Sequence, residues 1–302
     1  MREIHMIIAQ IADPHIIGED HLCYGRVATN AQLREAVSHI NGFNPRPDVV
    51  IATGDLTAHG IADEYAAMRD ILSALIPPLY VIPGNHDRRD LFLEAFSDHT
   101  YLPRPGASFA HYAINDHPVR LIGLDTTIPR QNEGILCAER LAWLDATLSA
   151  EPHRPTLIFM HHPPFRTNIR WMDAMGLHGG RKMEELVRRH PQVERVACGH
   201  LHRPIQVAWG GTIACTAPSN CHQVSLNLTE RGGYDFVMEP RAVQLHLLVP
   251  GYGLVSHVSY VSGEYESFNP IGELRPGGRT LDEALDMLKG YYEELCLKEF
   301  DV

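Results

Sequence analysis

No run of five basic residues occurs in the 302-residue chain, whose formal net charge is −11. Broad attraction to DNA, RNA or an anionic membrane surface is therefore disfavoured, and an anionic substrate would have to be held by local positive charge. The six cysteines (Cys23, Cys137, Cys198, Cys215, Cys221, Cys296) show neither the paired spacing of a zinc knot nor a disulfide framework. That pattern predicts reduced thiols in a cytoplasmic protein. No apolar run reaches the ~18 residues of a membrane-spanning helix. The apolar stretch from Met6 to Ala12 is interrupted by Gln10, closed by Asp13 and followed by no convincing small-residue cleavage site, so neither a membrane partner nor a leader is expected. Internal repeats and low-complexity segments are also missing.

What is there reads as an ordinary globular protein, 44% hydrophobic and 21% charged, long enough for one large domain or two small ones. Apolar strand-like runs, "MIIAQIAD" (6–13), "DVVIATGD" (48–55), "LYVIPGN" (79–85), "VRLIGLD" (119–125), "TLIFMHH" (156–162) and "VERVACGH" (193–200), alternate with helix-like segments. Leu33, Val37 and Ile40 share one helical stripe, and Ile61, Tyr65, Met68, Leu72 and Leu75 share another. Further helices are predicted near 137–149 and 181–189, and short β-like runs follow Gly211 and end near Val261. The alternation predicts an α/β layer architecture whose continuously apolar strands are covered on both faces. From Gly263 the texture changes: Thr280 and Glu283 form a capping-box pair ahead of the stripe Leu281, Leu285, Leu288, Tyr292 and Leu295. Residues 263–302 thus read as an extension carrying an amphipathic helix, either packed on residues 1–262 as a cap or meeting another subunit.

The strand ends carry the chemistry. "VIPGNHDRRD" (81–90) leaves its strand through Pro83 and Gly84 straight into Asn85, His86 and Asp87, which turn preference alone could explain. The same arrangement recurs as Asp13-Pro14-His15, Gly54-Asp55, His161-His162 and Gly199-His200-Leu201-His202. Loops leaving the carboxyl ends of the strands in an open α/β sheet converge on one rim. Carboxylate, imidazole and amide oxygen together suit Zn, Mn, Fe or Co. The candidate ligands Asp13, His15, Asp55, Asn85, His161, His200 and His202 are too many for one tetrahedral ion. Two divalent ions roughly 3.5–4 Å apart would use them all. With only Asp13 and Asp55 charged, such a centre keeps net positive charge and attracts phosphate.

In order along the chain, "DPH" (13–15), "GDL" (54–56), "GNHD" (84–87), His161 and "GHLH" (199–202) resemble the motifs of the binuclear metallophosphoesterase (calcineurin-like) superfamily over roughly residues 6–262. "HHPP" (161–164), "CGH" (198–200) and the length look most similar to class III cyclic-nucleotide phosphodiesterases and bacterial glycerophosphodiesterases. The resemblance implies a metallophosphoesterase fold, a two-sheet β-sandwich flanked by helices (αββα), over 1–262, with the helical extension beyond it. It implies Asp13, His15 and His202 on one metal and Asn85, His161 and His200 on the other, with Asp55 bridging. It makes a metal-bridging hydroxide the nucleophile and His86 a catalytic residue beside the phosphate. A homo-oligomer, dimer or higher, and a small phosphodiester substrate are further implications.

Rival readings are a phosphomonoesterase or protein phosphatase, a nuclease, and a non-catalytic scaffold of the same fold. "GDLTAHG" (54–60) lacks the arginine that the family's protein phosphatases carry shortly after this motif, which favours a monoanionic diester. The acidic balance argues against a polymeric nucleic acid, and the complete ligand set argues against a scaffold. Among neighbouring residues, Asp87 is read as the N-cap of the helix opening at "RRDLFLEAF" (88–96), with an orienting contact to His86 as the alternative. Cys198 is read as a small buried strand residue. His162 should point away from the ligand beside it, as a partner behind it or as packing. "RTNIRWMDAMGLHGG" (166–180) leaves the metal rim directly and reads as a substrate lid.

Overall fold

The computed structural model describes residues 4–18, 21–229 and 233–261, with Gly263, Glu283 and Asp286. The chain divides after Ser262 into two units. The apolar stripe of the second, Leu281 to Leu295, lies outside the described residues.

Along the first unit the elements are β1 (Met6–Ile11), α1 (Thr29–Asn41), β2 (Val49–Thr53), α2 (Ala62–Leu72), β3 (Leu79–Ile82), α3 (Arg89–Ala95), β4 (Tyr112–Ile114) and β5 (Arg120–Leu124). There follow β6 (Gly134–Ile135), α4 (Ala138–Ala150), β7 (Thr156–Met160), α5 (Arg170–Asp173), β8 (Leu177–His178), α6 (Gly180–Val187) and β9 (Val193–Cys198). The last are β10 (Ile205–Trp209), β11 (Thr212–Thr216), β12 (Gln223–Val224), β13 (Phe236–Val237), β14 (Ala242–Val249) and β15 (Gly253–Tyr260). One sheet has the order β15-β14-β1-β2-β3 and the other β10-β11-β9-β7-β5-β4. β1, β2 and β3 run parallel, as do β5, β7, β9 and β11. The outer strands β14, β15, β10 and β4 are antiparallel to their neighbours.

Every residue of β1, β2, β5 and β7 is buried, because helices cover one face of each sheet and the opposite sheet covers the other. α1 and α2 are the crossovers of the first sheet, and α4 and α6 serve the second, as parallel neighbours require. One hydrophobic core spans both sheets, from Ile51 and Val81 to Ile122 and Ile158, with Leu33 and Val37 of α1 and Leu144 of α4 packed into it. The arrangement is the expected αββα sandwich.

The sheet interface contains a short polar thread. The Gln10 amide donates to Thr53 Oγ1 and to the Cys198 carbonyl, each at 3.0 Å, tying the two sheets together. Its Oε1 lies 3.0 Å from His246 Nε2, and His246 Nδ1 lies 2.8 Å from Ser256 Oγ. The ring is therefore neutral, donating through Nε2. Burial, helped by Arg195, pushes its pKa down to about 3. Between pH 6.5 and 3 the unfolded chain binds a proton here that the folded chain does not, so stability falls as pH falls, by about 1.4 kcal/mol per pH unit from this residue. Urea unfolding at pH 5.5 and 4.5 checks this: the stability lost by His246→Gln should be smaller than the wild-type loss by about that amount. An equal loss in both proteins would show that His246 does not report the acid sensitivity.

Among the described residues no helix is long and apolar enough to cross a membrane, and the five described cysteines are free.

Candidate metal centre

β1, β2 and β3 of one sheet and β7 and β9 of the other end at the same rim. Their carboxyl-terminal loops deliver Asp13 and His15, Asp55, Asn85 and His86, His161, and His200 and His202. All seven candidate ligands meet there. The backbone is bent hard to do so: Asp13, His15, Asp55, His200 and His202 have φ of 51°, 44°, 48°, 68° and 53°, the left-handed region that non-glycine residues seldom occupy. Gly54 (φ 84°) and Gly84 lie against one another. A Cβ on Gly54 would stand 2.6 Å from His161 Nδ1, and one on Gly84 would collide with the backbone and carboxylate of Asp55. Only glycines let these two loops close onto a shared point.

Asp55 Oδ2 sits at the middle, 3.6 Å from His15 Nε2 and 3.4 Å from His161 Nε2. On one side His15 Nε2 lies 3.1 Å from His202 Nε2, which is 3.9 Å from Asp13 Oδ1. On the other, His161 Nε2 lies 2.9 Å from Asn85 Oδ1, and the His161 and His200 ring centroids are 5.0 Å apart. Backbone carbonyls orient the rings from behind: Thr53 O lies 2.9 Å from His161 Nδ1, His222 O 2.8 Å from His202 Nδ1, and Met175 O 3.1 Å from His200 Nε2. At His202 and His200 the carbonyl takes the proton of one ring nitrogen and leaves the other as a lone pair turned inward, the usual support behind a metal-binding histidine. His161 Nε2, facing the Asn85 oxygen, carries a proton that a cation there would replace.

Electrostatics agree. Burial holds the pKa values of His15 and His202 well below the ordinary imidazole value and brings His200 to about 3, so these rings are neutral at pH 7. Burial lifts the Asp13 carboxyl to about 8, against the pull of His161. Burial acts on Asp55 in the same direction, but His161 and His86 outweigh it and keep Asp55 a carboxylate. Burial likewise opposes charge on His161, yet Asp55 and then Asp13 raise it to about 9. The site thus favours positive charge between Asp55, Asn85 and His161. Asp13 Oδ2 and His15 Nδ1 are buried without a hydrogen-bond partner. Convergent lone pairs, two carboxyl groups and no thiol in the donor set fit a pair of borderline divalent cations.

His86 comes within reach of His15 and Asp55 but is held differently from the seven candidate ligands. Its Nδ1 lies 2.8 Å from the Ala58 carbonyl and its backbone N–H donates to Asp55 Oδ1 at 2.8 Å, while the side chain lines the cavity above the centre. Nε2 is the nitrogen left for a substrate. Asp87 corrects the N-cap expectation: α3 follows Arg88 with no side-chain cap. The Asp87 carboxylate instead accepts from the backbone of Leu56, Thr57 and Gly84 and from the Tyr65 hydroxyl at 3.0 Å. It clamps the Asp55 loop to the Asn85 loop. His162 is held by Thr126 Oγ1 at 2.7 Å and the Asn132 carbonyl at 3.1 Å, and Cys198 is buried on β9.

His222 was not foreseen. It is fully buried, its ring nitrogens find no hydrogen-bond partner, and it stands close enough to His15 and His202 to share an ion with them. Burial lowers its pKa to about 4. It lies six residues beyond the end of β11, too far from a strand end for the pattern that picked out the other candidates.

The chain matches a calcineurin-like phosphoesterase family model over residues 6–204. It is 38% identical to "Probable glycerophosphodiester phosphodiesterase GpdQ" of Arcobacter nitrofigilis over 89% of this chain and 99% of that one. It is 33% identical to a probable cyclic nucleotide phosphodiesterase of Rhodopseudomonas palustris over 76% of this chain and 84% of that one. Among solved structures, a dimetal phosphatase from Danio rerio superposes with a TM-score of 0.55 at 16% identity, over 86% of this chain and all of that one, a likeness of fold. With that family model spanning the strands and loops that build the rim, the chain belongs to the calcineurin-like phosphoesterases.

Proposed function

We propose that this metal-dependent phosphodiester hydrolase cleaves small phosphodiesters of the glycerophosphodiester or cyclic-nucleotide type with a two-metal centre. The observation that carries the reading is the single oxygen Asp55 Oδ2 standing between the His15 and His161 ring nitrogens at 3.6 and 3.4 Å. Asp13, His15 and His202 would hold one cation and Asn85, His161 and His200 the other, with Asp55 shared. Two bound cations, of Mn, Fe, Zn or Co, would supply charge neutralisation of the phosphoryl oxygens and a water nucleophile activated at neutral pH. The protein's part is positional. Carbonyl-braced imidazoles hold their lone pairs inward, the clamp at Asp87 keeps the two carrying loops in register, and Asn85 contributes a donor without negative charge. His86, fixed through Nδ1, presents Nε2 where a departing alkoxide can be protonated.

The described residues lining the cavity include no lysine or arginine, which suits a monoanionic diester better than a dianionic monoester. On protein reconstituted with Mn or Zn, kcat/KM for an alkyl-aryl phosphodiester should exceed that for the matching aryl monoester by about tenfold or more, a difference of ~1.4 kcal/mol. A monoester preference would move the protein to the phosphatases. The reading extends to a cytoplasmic enzyme, where its free cysteines would stay reduced. It also extends to homo-oligomers in which residues 263–302 act as cap or assembly element.

A further inference from the structure

A second cavity, of about 470 Å³, lies beside the start of α3 and shares no lining residue with the one above the metal centre. Arg88, Arg89 and Arg130 give it positive charge, Ser108 a hydroxyl, and Leu93 and Ile128 an apolar side. Arg89 is fixed in place. Its Nε and Nη2 donate to the Asp125 carboxylate at 2.6 and 3.3 Å, and Nη2 also to the Thr127 carbonyl and hydroxyl at 2.9 and 2.8 Å. Nη1 is left without a hydrogen bond among the described residues, on a side chain only 14% exposed. Arg140 donates to the Asp125 and Thr127 carbonyls at 3.1 and 2.9 Å, so two guanidinium groups act on the one buried carboxylate of Asp125 and leave positive charge over. Arg130, exposed, has no ion-pair or hydrogen-bond partner among the described residues. Two acids also line the cavity. Both Asp87 oxygens are taken by Leu56, Thr57, Gly84 and Tyr65. Asp90 holds Arg88 at 2.8 Å in a pair whose side chains are 67% and 56% exposed, a contact of little worth that a ligand can displace.

We propose that this cavity is an anion site for a phosphate monoester, the class of ionic product that diester hydrolysis releases, and that its occupancy lowers turnover at the metal centre. The choice of a monoester rests on the phosphodiesterase reading, whereas the site itself stands on the arginines. Arginine's planar fork takes phosphate oxygens in pairs. A dianion can answer Arg89 Nη1 and Arg130 together, where a carboxylate would satisfy one of them. In a chain of net charge −11, such local positive charge is what can hold an anion. The volume is that of a small-ligand pocket, and Leu93 and Ile128 suit the carbon part of an ester. The link to the metal centre runs through Asp87, which lines this cavity and accepts from the Leu56 and Gly84 N–H groups of the loops that carry Asp55 and Asn85. The Arg88 N–H donates to the Tyr65 hydroxyl at 3.2 Å, and that hydroxyl donates to Asp87 at 3.0 Å. A dianion that draws Arg88 off Asp90 and stands beside Asp87 repels that carboxylate and strains the clamp, while the substrate cavity stays open. A fall in kcat is therefore the signature, since monoester bound at the metals competes with substrate and changes only KM.

The test uses the full chain loaded with Zn, titrated with glycerol phosphate by calorimetry and assayed with bis(p-nitrophenyl) phosphate. The wild type should bind a second equivalent beyond the one at the metals. Saturating glycerol phosphate should lower its extrapolated kcat by roughly fivefold or more, the low end of couplings between sites. Arg130 has φ 65°, a conformation that asparagine tolerates, so Arg130→Asn removes the charge without new strain. That variant should weaken the second equivalent by roughly tenfold or more, as the loss of a hydrogen bond to a charged group implies. It should also abolish the kcat effect, with basal turnover and the KM effect unchanged, and Arg130→Lys should restore part of both. Purely competitive inhibition of the wild type, one equivalent bound, a kcat effect indifferent to Arg130→Asn, or the same effect from potassium sulfate at equal ionic strength would overturn the inference. Failure to hydrolyse any diester would sink the functional reading instead, and the dependence of the calorimetric titration on Arg130 would still decide whether the arginine cavity binds a monoester.

Discussion

Asp55→Ala is expected to cut phosphodiester turnover by roughly 10³-fold or more, since the charge stabilisation supplied by a metal pair is at stake, and to lower bound metal from two equivalents toward one or none. The Asp55 carboxylate is placed between the ring nitrogens that face the two proposed ion positions. Asp55 Oδ2 reaches the His15 and His161 nitrogens, and Oδ1 accepts the His86 backbone N–H. Without the carboxylate, His161 also loses the charge that most favours a cation beside it. Because Asp55 has φ 48°, alanine adds backbone strain of its own. Asp55→Asn, which tolerates that conformation better, separates the loss of charge from a loss of fold. Elemental analysis and circular dichroism on both variants provide the measurement, and two metal equivalents retained in a folded variant would remove Asp55 from the shared position.

His86→Ala should behave differently although His86 adjoins Asn85 in sequence. Asn85 Oδ1 faces the His161 ring, whereas His86 turns to the Ala58 carbonyl and the cavity. Both metals should remain bound, and an alkyl diester should slow by roughly 10²–10⁴, the usual worth of positioned proton transfer. A nitrophenyl leaving group departs with little need of a proton, so its loss should be markedly smaller. Equal losses for both leaving groups would reduce His86 to a phosphate-positioning residue. Metal loss in His86→Ala would mean that the ligand set has been drawn wrongly.

Much of this site was legible in the sequence because one physical rule generates it. Apolar strands buried on both faces carry few polar side chains before the rim, Gln10 being the exception on β1, so Asp13, Asp55, Asn85, His161 and His200 announce themselves by position. The crossover helices were legible from their stripes for the same reason. What stayed hidden depends on contacts between distant segments. Nothing local in 242–249 says that β14 pairs with β1 rather than with a strand of its own neighbourhood, and β4, three residues long, is too short for any periodicity to show. Asp87 was misread because an acid ahead of a helix is ordinarily a cap, and its actual partners at Leu56, Thr57 and Tyr65 lie 22 to 31 residues away. Tyr234 and Phe236 are unremarkable in sequence until the fold brings them to the cavity that Trp171 of the expected lid segment also lines.

The left-handed conformations at Asp13, His15, Asp55, His200 and His202 bear on how such a protein can change over generations. Each costs the fold on the order of 1–3 kcal/mol, and glycine or asparagine at the same place would relieve part of it. Stability alone therefore pushes these positions away from the residues they hold, and only selection for the bound metals opposes the drift. A lineage that ceased to need catalysis would shed its ligands as stabilising substitutions and keep the sandwich intact. The return journey would be uphill at five positions together, so loss of the centre in a descendant should be close to irreversible.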